Sequence, residues 1–335
     1  MSDDGRLVYV PRAEVPAAAP LRTFVWVDRQ GREQPIAAKA QAYVRPNLSS
    51  DGSKIAVEVS EADKTNIWIW DIAHETLSRL TSDVPVNRVP VWMPDSRFFI
   101  SGGFLHPDDA ASGLGLFRRT ADGTGTPEQL TKEDRTNGVP VAVSPDGKFL
   151  VERVGVVHQR FDLRLVPLGD GHTPQRLGVR PFSENAEISP DGRWIAYDSG
   201  ESGSESTYEI YVQPFPAVDT GRWQVSTTGG REPHWSRNGR ELYYISRDRH
   251  LVAVPVQSGT TFSYGRGTPL LDVRPYAFPT AEGSSYAVAA DGRFLMMIRT
   301  APTKDASGAV APTDVRAARI VVVDRWLDEV KARVK

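Results

Sequence analysis

The stretch Ser189-Pro190-Asp191-Gly192-Arg193-Trp194-Ile195-Ala196-Tyr197 places a turn tetrapeptide directly before a run of strand-forming residues. Asp and Ser side chains accept hydrogen bonds from nearby backbone N–H groups, and Gly adopts positive φ without a Cβ clash. Pro190 presets φ at the first corner of the turn. The stretch therefore predicts two antiparallel strands joined by a tight turn.

The same turn recurs along the whole chain. Successive copies, counted from one Asp or Asn to the next, lie between 44 and 53 residues apart. A period in the forties built from strand-turn-strand units is typical of a β-propeller. Because an active site is seldom built seven times, we interpret the repeated carboxylates as turn residues and not as metal or catalytic ligands. The seven copies are centred on Asp4, Asp51, Asp95, Asp146, Asp191, Asn238 and Asp291.

Each repeat contains four predicted strands. In the unit around Asp51 they cover residues 45–48, 54–59, 66–71 and 76–81. Alternating apolar and polar residues, with many β-branched and aromatic side chains, indicate strands and not helices. The predicted fold is therefore all-β, a β-propeller of four-stranded antiparallel blades.

The number of blades depends on the two chain ends. Seven turn copies favour seven blades, and six follow if the first and last units merge into one blade. The chain begins inside a turn at residues 2–5, so we expect the first blade to lack its innermost strand and the chain to be part of a longer protein. We predict one propeller domain over residues 1–335, ending in a short amphipathic helix at 325–335.

Composition excludes several classes of function. The chain has 335 residues, a formal net charge of −2 and no cysteine. The nearly balanced charge does not favour nucleic acid or an anionic membrane as a partner. No apolar run reaches the roughly 18 residues that a membrane span requires, so we predict no direct membrane insertion. We expect no signal peptide in this chain, and the absence of cysteine excludes disulfides and thiolate chemistry.

The sequence contains no convincing catalytic, metal-binding or cofactor motif. The six histidines show no His-Glu-x-x-His or other short metal-ligand spacing. Gly200-Glu201-Ser202-Gly203-Ser204 resembles a nucleophile elbow but lacks its final Gly. Two Gly-x-Gly pairs, at 113–115 and 123–125, lack the downstream Gly and helix of a phosphate loop. We therefore predict no catalytic residue, no metal and no cofactor.

Candidate binding residues follow from the position of the turn. In a propeller the strand before each turn is innermost, so its residues approach the central channel. A mixed-charge, amide-rich ring there suits a peptide or a small polar ligand. The alternative is that these side chains solvate the channel and satisfy one another. Aligned on the turns, the candidates are Arg45, Asn47, Arg88, Asn137, Asn185, Glu187, Arg231, Glu232 and His234, with Glu184 beside them.

Several segments resemble a known repeat family. Pro233-His234-Trp235-Ser236, Ile67-Trp68-Ile69-Trp70-Asp71 and Arg79-Leu80-Thr81 resemble the TolB-like β-propeller repeat, and the likeness covers nearly the whole chain. More narrowly, Leu7-Val8-Tyr9-Val10 and Tyr211-Val212-Gln213-Pro214-Phe215-Pro216 are similar to propeller regions C-terminal to bacterial Ser/Thr protein kinases. No kinase motif is present, so this resemblance implies that the kinase domain is absent here.

The leading functional hypothesis is a non-enzymatic binding or scaffold propeller. We expect a protein- or peptide-interaction or sensor module of a bacterial signalling or envelope protein. The resemblance implies a periplasmic location if the chain belongs to a longer TolB-like or kinase-linked protein, and a cytoplasmic one otherwise. Alternatives are the gating propeller of a peptidase without its catalytic domain, a purely structural partner domain, or a lyase or hydrolase with a channel-mouth site. For a lyase, Glu187, Glu232 and His234 are the only visible candidates, and their convergence on a metal would favour an enzyme.

Overall fold

The computed structural model describes residues 7–9, 20–61, 64–82, 86–104, 114–131, 138–156, 160–169, 173–179, 182–200, 208–278, 283–300 and 321–323. The chain divides into two compact units, one of residues 21–300 and the other of residues 1–20 with 301–335. The regular secondary structure in the described part of the larger unit is all strand, apart from one 3₁₀ turn at Val218–Thr220.

The strands are numbered in chain order. Up to the third blade they are β1 Leu7–Tyr9, β2 Arg22–Val27, β3 Glu33–Pro35, β4 Tyr43–Leu48, β5 Lys54–Glu61, β6 Lys64–Asp71, β7 Thr76–Arg79, β8 Asn87–Trp92, β9 Phe98–Phe104, β10 Leu114–Thr120, β11 Glu128–Gln129, β12 Val139–Val143, β13 Phe149–Val156, β14 Arg160–Pro167 and β15 Gln175–Arg176. The rest are β16 Ser183–Ile188, β17 Trp194–Ser199, β18 Glu209–Pro214, β19 Trp223–Gln224, β20 Gly230–Trp235, β21 Glu241–Ser246, β22 His250–Ser258, β23 Phe262–Tyr264, β24 Thr268–Asp272, β25 Ala287–Val288, β26 Phe294–Arg299 and β27 Val321–Val323.

The larger unit is a six-bladed β-propeller. Blades 1 to 4 are the consecutive antiparallel sheets β4–β7, β8–β11, β12–β15 and β16–β19. Blade 5 is β20–β21–β22, with both β23 and β24 paired to β22. The first strand of each blade contacts the first strand of the next, and β25 contacts both β20 and β4, which closes the ring. The predicted four-stranded antiparallel blades are confirmed.

Blade 6 combines strands from both ends of the larger unit. Its order is β25–β26–β2–β3, with Arg22 opposite Arg299 and Val27 opposite Phe294. The first sequence repeat lacks its own innermost strand, and β25, which follows blade 5 in the chain, takes that place. The first and last repeats merge, so the described residues form six blades and the favoured count of seven is not confirmed.

The smaller unit is described only as a two-stranded ladder. Strands β1 and β27 pair antiparallel, with Leu7 opposite Val323. The turn predicted around Asp4 and the helix predicted at 325–335 lie outside the described residues. The single domain over 1–335 stays a prediction.

The repeated tetrapeptide forms the predicted hairpin turn. Ser49 Oγ donates a 2.6 Å hydrogen bond to Asp51 Oδ1 and accepts one of 2.9 Å from the backbone N–H of Lys54. Gly52 has a φ of 74°, and Ser96 takes the equivalent position of blade 2 with a φ of 56°. The interpretation of the repeated carboxylates as turn residues is confirmed, because the same bonds recur around Asp146, Asp191 and Asn238.

Apolar side chains of facing sheets form the core between neighbouring blades. Phe24 of blade 6 and Tyr43 of blade 1 stack with ring centroids 4.6 Å apart. Trp194 of blade 4 packs against Phe262 of blade 5 with a centroid distance of 5.4 Å. Aromatic rings fill the wedge between twisted sheets with large apolar surfaces. The first strands are thereby held at fixed positions around the central channel.

The central channel as candidate functional site

The first strands of all six blades surround a cavity of about 360 Å³. This volume lies within the range of roughly 300–1,000 Å³ that is usual for ligand pockets. Pro46, Pro90 and Pro233 line it at the same position before their turns. Proline lacks a backbone donor and is tolerated there because each first strand is the inner edge of its sheet. At these positions the wall therefore offers no backbone donor, and hydrogen-bond donors must come from side chains.

Not all of the predicted binding residues lie on this wall. Arg88, Arg231 and Glu232 are not among the residues that line the cavity. The Arg231 guanidinium lies 3.7 Å from the centroid of the Tyr208 ring, and Glu232 Oε2 accepts a 2.7 Å hydrogen bond from the N–H of Ser285. Asn137 lies outside the described residues. The candidates that do line the cavity are Arg45, Asn47, Asn185, Glu187 and His234.

Buried carboxylates fix two of these wall residues. Arg45 Nη1 lies 2.8 Å from Glu58 Oε1, and both side chains are almost fully buried. Asp198 accepts hydrogen bonds from the backbone N–H and the side-chain amide of Asn185, at 2.9 and 2.8 Å. The same carboxylate accepts the N–H of Glu232 in the next blade at 2.9 Å. These contacts satisfy wall residues internally, as the alternative interpretation of the ring expected.

Asn47 and Glu187 each hold a tryptophan of the following blade. Trp92 donates its backbone N–H to Asn47 Oδ1 at 3.2 Å and its indole N–H to the Asn47 carbonyl at 2.9 Å. Trp235 makes the equivalent bonds to Glu187 Oε2 at 2.8 Å and to the Glu187 carbonyl at 3.1 Å. We call this two-bond arrangement the inter-blade clasp; it joins blade 1 to blade 2 and blade 4 to blade 5.

His234 connects the second clasp to a serine that the sequence did not single out. Its Nδ1 lies 2.9 Å from Glu187 Oε2, and its Nε2 lies 2.5 Å from Ser284 Oγ. All three side chains line the cavity. The turn around Asp291 begins with Ala289, and the turn around Asp191 begins with Ser189. Ser284 lies five positions before the first of these residues, and Glu184 lies five positions before the second. Aligning the two turns would therefore have identified Ser284.

Glu184 places a buried carboxyl group on the same wall. It is 6% exposed, its Oε1 accepts a 2.5 Å hydrogen bond from the Tyr208 hydroxyl, and its Oε2 lies 3.9 Å from Arg231 Nη1. Burial raises the pKa of the Glu184 carboxyl above its ordinary value, and the nearby Asp198 adds to the effect. A carboxyl of this kind holds its proton to higher pH than an exposed glutamate.

The expected convergence of Glu187, Glu232 and His234 is only partial. Glu187 and His234 are in contact, whereas the Glu232 carboxylate is bonded to Ser285. Within the described part of the chain, no group of three or more His, Cys, Asp or Glu side chains is arranged to hold a metal ion. Among the same residues, no helix is long and apolar enough to cross a membrane.

Comparison with known proteins gives low sequence identity. No family model matches the chain. An uncharacterised protein of Agrobacterium fabrum is 27% identical over 134 residues, 39% of this chain and 43% of that protein. The Tol-Pal system protein TolB of Wolinella succinogenes is 24% identical over 202 residues, 56% of this chain and 45% of that protein. The chain thus matches less than half the length of these curated relatives.

Solved structures show the same fold. A TolB-like protein from Agrobacterium tumefaciens aligns with a TM-score of 0.60 and 17% identity, covering 84% of this chain and 99% of that one. TolB from Acinetobacter baumannii gives a TM-score of 0.54 and 16% identity over 87% of this chain and 65% of that one. These similarities do not test the narrower resemblance to kinase-linked propellers, which stays a prediction. The chain has the TolB-like β-propeller fold.

Proposed function

We propose that this protein is a binding module and that a short extended segment of a partner protein enters its central channel. The observation that carries the proposal is the cavity of about 360 Å³ enclosed by the first strands of all six blades. A pocket of this volume admits a few residues of an extended chain. The structural role of the clasps leaves room for binding, because Glu187 and His234 still line the cavity.

The wall offers charged groups of both signs to such a segment. Arg237 lies at the end of the cavity where the turns are, and its Nη2 reaches to 3.5 Å from the Ser49 carbonyl. Glu187 of blade 4, His234 of blade 5 and Arg45 of blade 1 also line the cavity. Fixed charges give specificity more than raw affinity. We expect a segment with both polar and apolar side chains, because prolines and valines separate these groups.

Obstruction of the channel tests this proposal. A random peptide library is selected against the full chain, and the best peptide is titrated by fluorescence anisotropy. Val141→Trp places a large ring at a wall position of blade 3, and Gln175→Trp places the same ring on the exposed outer strand of that blade. We expect at least tenfold weaker binding for Val141→Trp alone. Equal affinity of the two variants would place the peptide elsewhere and refute the channel proposal.

We also propose that the protein works in the bacterial cell envelope. The support is the likeness to a relative named as a Tol-Pal system protein. Fractionation of the native bacterium, followed by an antibody against this chain, tests the location. Recovery with cytoplasmic proteins alone would contradict it.

The kinase-linked origin that the sequence suggested is a separate proposal. It predicts an in-frame kinase coding region directly upstream of this chain in the genome. A stop codon followed by a promoter at that place would exclude it.

A further inference from the structure

Glu187, His234 and Ser284 form a continuous hydrogen-bonded line on the channel wall. Glu187 belongs to β16, His234 to β20, and Ser284 to the segment that precedes β25. The two links are 2.9 Å from Glu187 Oε2 to His234 Nδ1 and 2.5 Å from His234 Nε2 to Ser284 Oγ. Three different blades therefore bring a carboxylate, an imidazole and a hydroxyl together in the order used by serine nucleophiles.

The positions of the protons follow from the partners. An ionised carboxylate only accepts hydrogen bonds, so Nδ1 of His234 carries a hydrogen toward Glu187. In the neutral imidazole Nε2 is then an acceptor, and it faces Ser284 Oγ. The carbonyl of Tyr286, 2.7 Å from the same Oγ, is a second acceptor for the hydroxyl hydrogen. Neutral His234 can thus take the Ser284 proton, and protonated His234 cannot.

Neighbouring residues hold both ends of this line. The Tyr286 ring packs edge-on against His234, with centroids 4.5 Å apart and an interplanar angle of 71°. Glu232 accepts the backbone N–H and the hydroxyl of Ser285, both at 2.7 Å, and its carbonyl accepts the Tyr286 hydroxyl at 3.0 Å. These bonds make Glu232 and Tyr286 positioning residues, because they fix the segment on which Ser284 stands.

We propose that Ser284 is a nucleophile that accepts acyl groups from carboxylic esters entering the channel. Ser284 Oγ attacks the ester carbonyl while its proton passes to His234 Nε2, and Glu187 orients the resulting imidazolium. The carbonyl carbon–alkoxy bond then breaks, and the departing alcohol takes the proton from His234. Water releases the acid by the same route, which regenerates Ser284. This activity goes beyond the proposed peptide binding and does not depend on it.

A purely structural role does not account for the line. The clasp of blades 1 and 2 holds Trp92 through the amide of Asn47, and no imidazole or hydroxyl of the described residues bonds to that amide. Glu187 holds Trp235 with equivalent bonds. The clasp therefore requires an oxygen acceptor only, and the link through His234 to Ser284 is additional to it.

The test is covalent labelling of the full chain with a fluorophosphonate probe. The serine oxygen displaces fluoride from phosphorus, the proton passes to the imidazole, and a stable phosphonyl adduct remains. We expect an adduct located at Ser284 by mass spectrometry and absent in Ser284→Ala. Labelling should be at least tenfold slower in His234→Val and in Glu187→Gln, whose amide oxygen still accepts the Trp235 N–H.

Controls distinguish the effect of the hydrogen-bonded line from general serine reactivity and from misfolding. Ser78→Ala removes an exposed serine of an outer strand and should label like the unmodified protein. Thermal unfolding of each variant, and tryptophan fluorescence, establish that the clasps are intact. A labelling rate that is unchanged in folded His234→Val, or no adduct at Ser284 in the unmodified protein, overturns the proposal. Hydrolysis of p-nitrophenyl acetate gives a second readout that must follow the same order of variants.

Discussion

The two inter-blade clasps occupy equivalent places in the propeller but carry different side chains. Counting back from each turn matches blades 1 to 3 with blades 4 to 6. Asn47 corresponds to Glu187, Val91 to His234, and Val139 to Ser284. Both sets line the cavity. At these three positions one half of the channel wall carries an amide and two aliphatic residues, and the other half carries a hydrogen-bonded acid, imidazole and hydroxyl.

This difference separates what the fold requires from what it permits. The clasp needs an oxygen acceptor, because the backbone N–H groups of the buried Trp92 and Trp235 lose their partners without it. The fold permits any side chain of suitable size at the two following positions. The charge and chemistry of the wall in blades 4 to 6 can thus change without changing the blade pattern. The following predictions test whether the clasps and the wall side chains are independent in this way.

The largest effect is expected at the tryptophans, and it should be alike in both halves. Trp92 and Trp235 are 5% and 1% exposed. Truncation to alanine leaves a cavity and removes the indole bond of the clasp while the backbone bond stays, so Trp92→Ala and Trp235→Ala should each lower the free energy of unfolding by about 3–5 kcal/mol. Urea unfolding followed by far-UV circular dichroism measures this. A loss in only one of the two variants would show that the clasps are not equivalent.

Removal of the clasp acceptor should have a smaller effect, again alike in the two halves. Asn47→Ala and Glu187→Ala leave the backbone N–H of a buried tryptophan unsatisfied, and each should cost about 1–3 kcal/mol. Glu187→Gln keeps the acceptor and should stay close to the unmodified protein in the same urea experiment. If Glu187→Gln is as unstable as Glu187→Ala, the carboxylate charge is itself part of the clasp.

The same comparison explains which parts could be predicted from sequence. The turn period located Asn47, Glu187 and His234 on the wall because it fixes the innermost strand of each blade. It could not decide the blade count, since the pairing of β2 with β26 joins residues far apart in the chain. The weak copy at Asp291 hid Ser284, because its turn begins with Ala289 and not with serine.

Side-chain direction was the other failure of the sequence prediction. Strand alternation places every second residue on one face, but a bulge breaks this rule. The register of β20 shifts between Arg231 and His234, and Glu232 has a φ of 55°. Its side chain consequently bonds to Ser285 and does not line the cavity. Arg88 lies at the equivalent shift of β8, beside Val89 with a φ of 50°.

Two glycines, each directly before a wall residue, allow the two halves of the wall to be compared further. Gly283 and Gly138 directly precede Ser284 and Val139. Gly283 has a φ of 73°, and a Cβ there would lie 3.0 Å from Arg45 Cδ. Because left-handed backbone is unfavourable for alanine, Gly283→Ala should cost about 1–2 kcal/mol.

The strain expected in Gly283→Ala should also disturb the hydrogen-bonded line of Glu187, His234 and Ser284. Displacement of Ser284 from His234 should slow fluorophosphonate labelling in Gly283→Ala. A Cβ at Gly138 would instead lie 2.5 Å from Glu152 Oε2 of the same blade, so Gly138→Ala should disturb blade 3 and leave the line of Glu187, His234 and Ser284 in place. Calorimetry and labelling of both variants test this, and slowed labelling in Gly138→Ala alone would contradict the assignment.

The smallest effect concerns Glu184 of blade 4, which corresponds to the apolar Val44 of blade 1 when both are counted from their turns. Burial raises the pKa of the Glu184 carboxyl above its ordinary value of 4.5. The folded protein then binds this proton more tightly than the unfolded chain does. The contribution of the group to stability is therefore greatest at low pH and declines as pH rises through the ordinary value toward the raised one.

Glu184→Gln removes this titration while its amide oxygen can still accept the Tyr208 hydroxyl. The free energy of unfolding of the variant, minus that of the unmodified protein, should accordingly increase from pH 4 to pH 8. Contributions from distant titrating groups are common to both proteins and cancel in the difference. Urea unfolding at several pH values measures it. A difference that falls with pH would mean that Arg231 outweighs burial and that Glu184 is held as a charged residue of the wall.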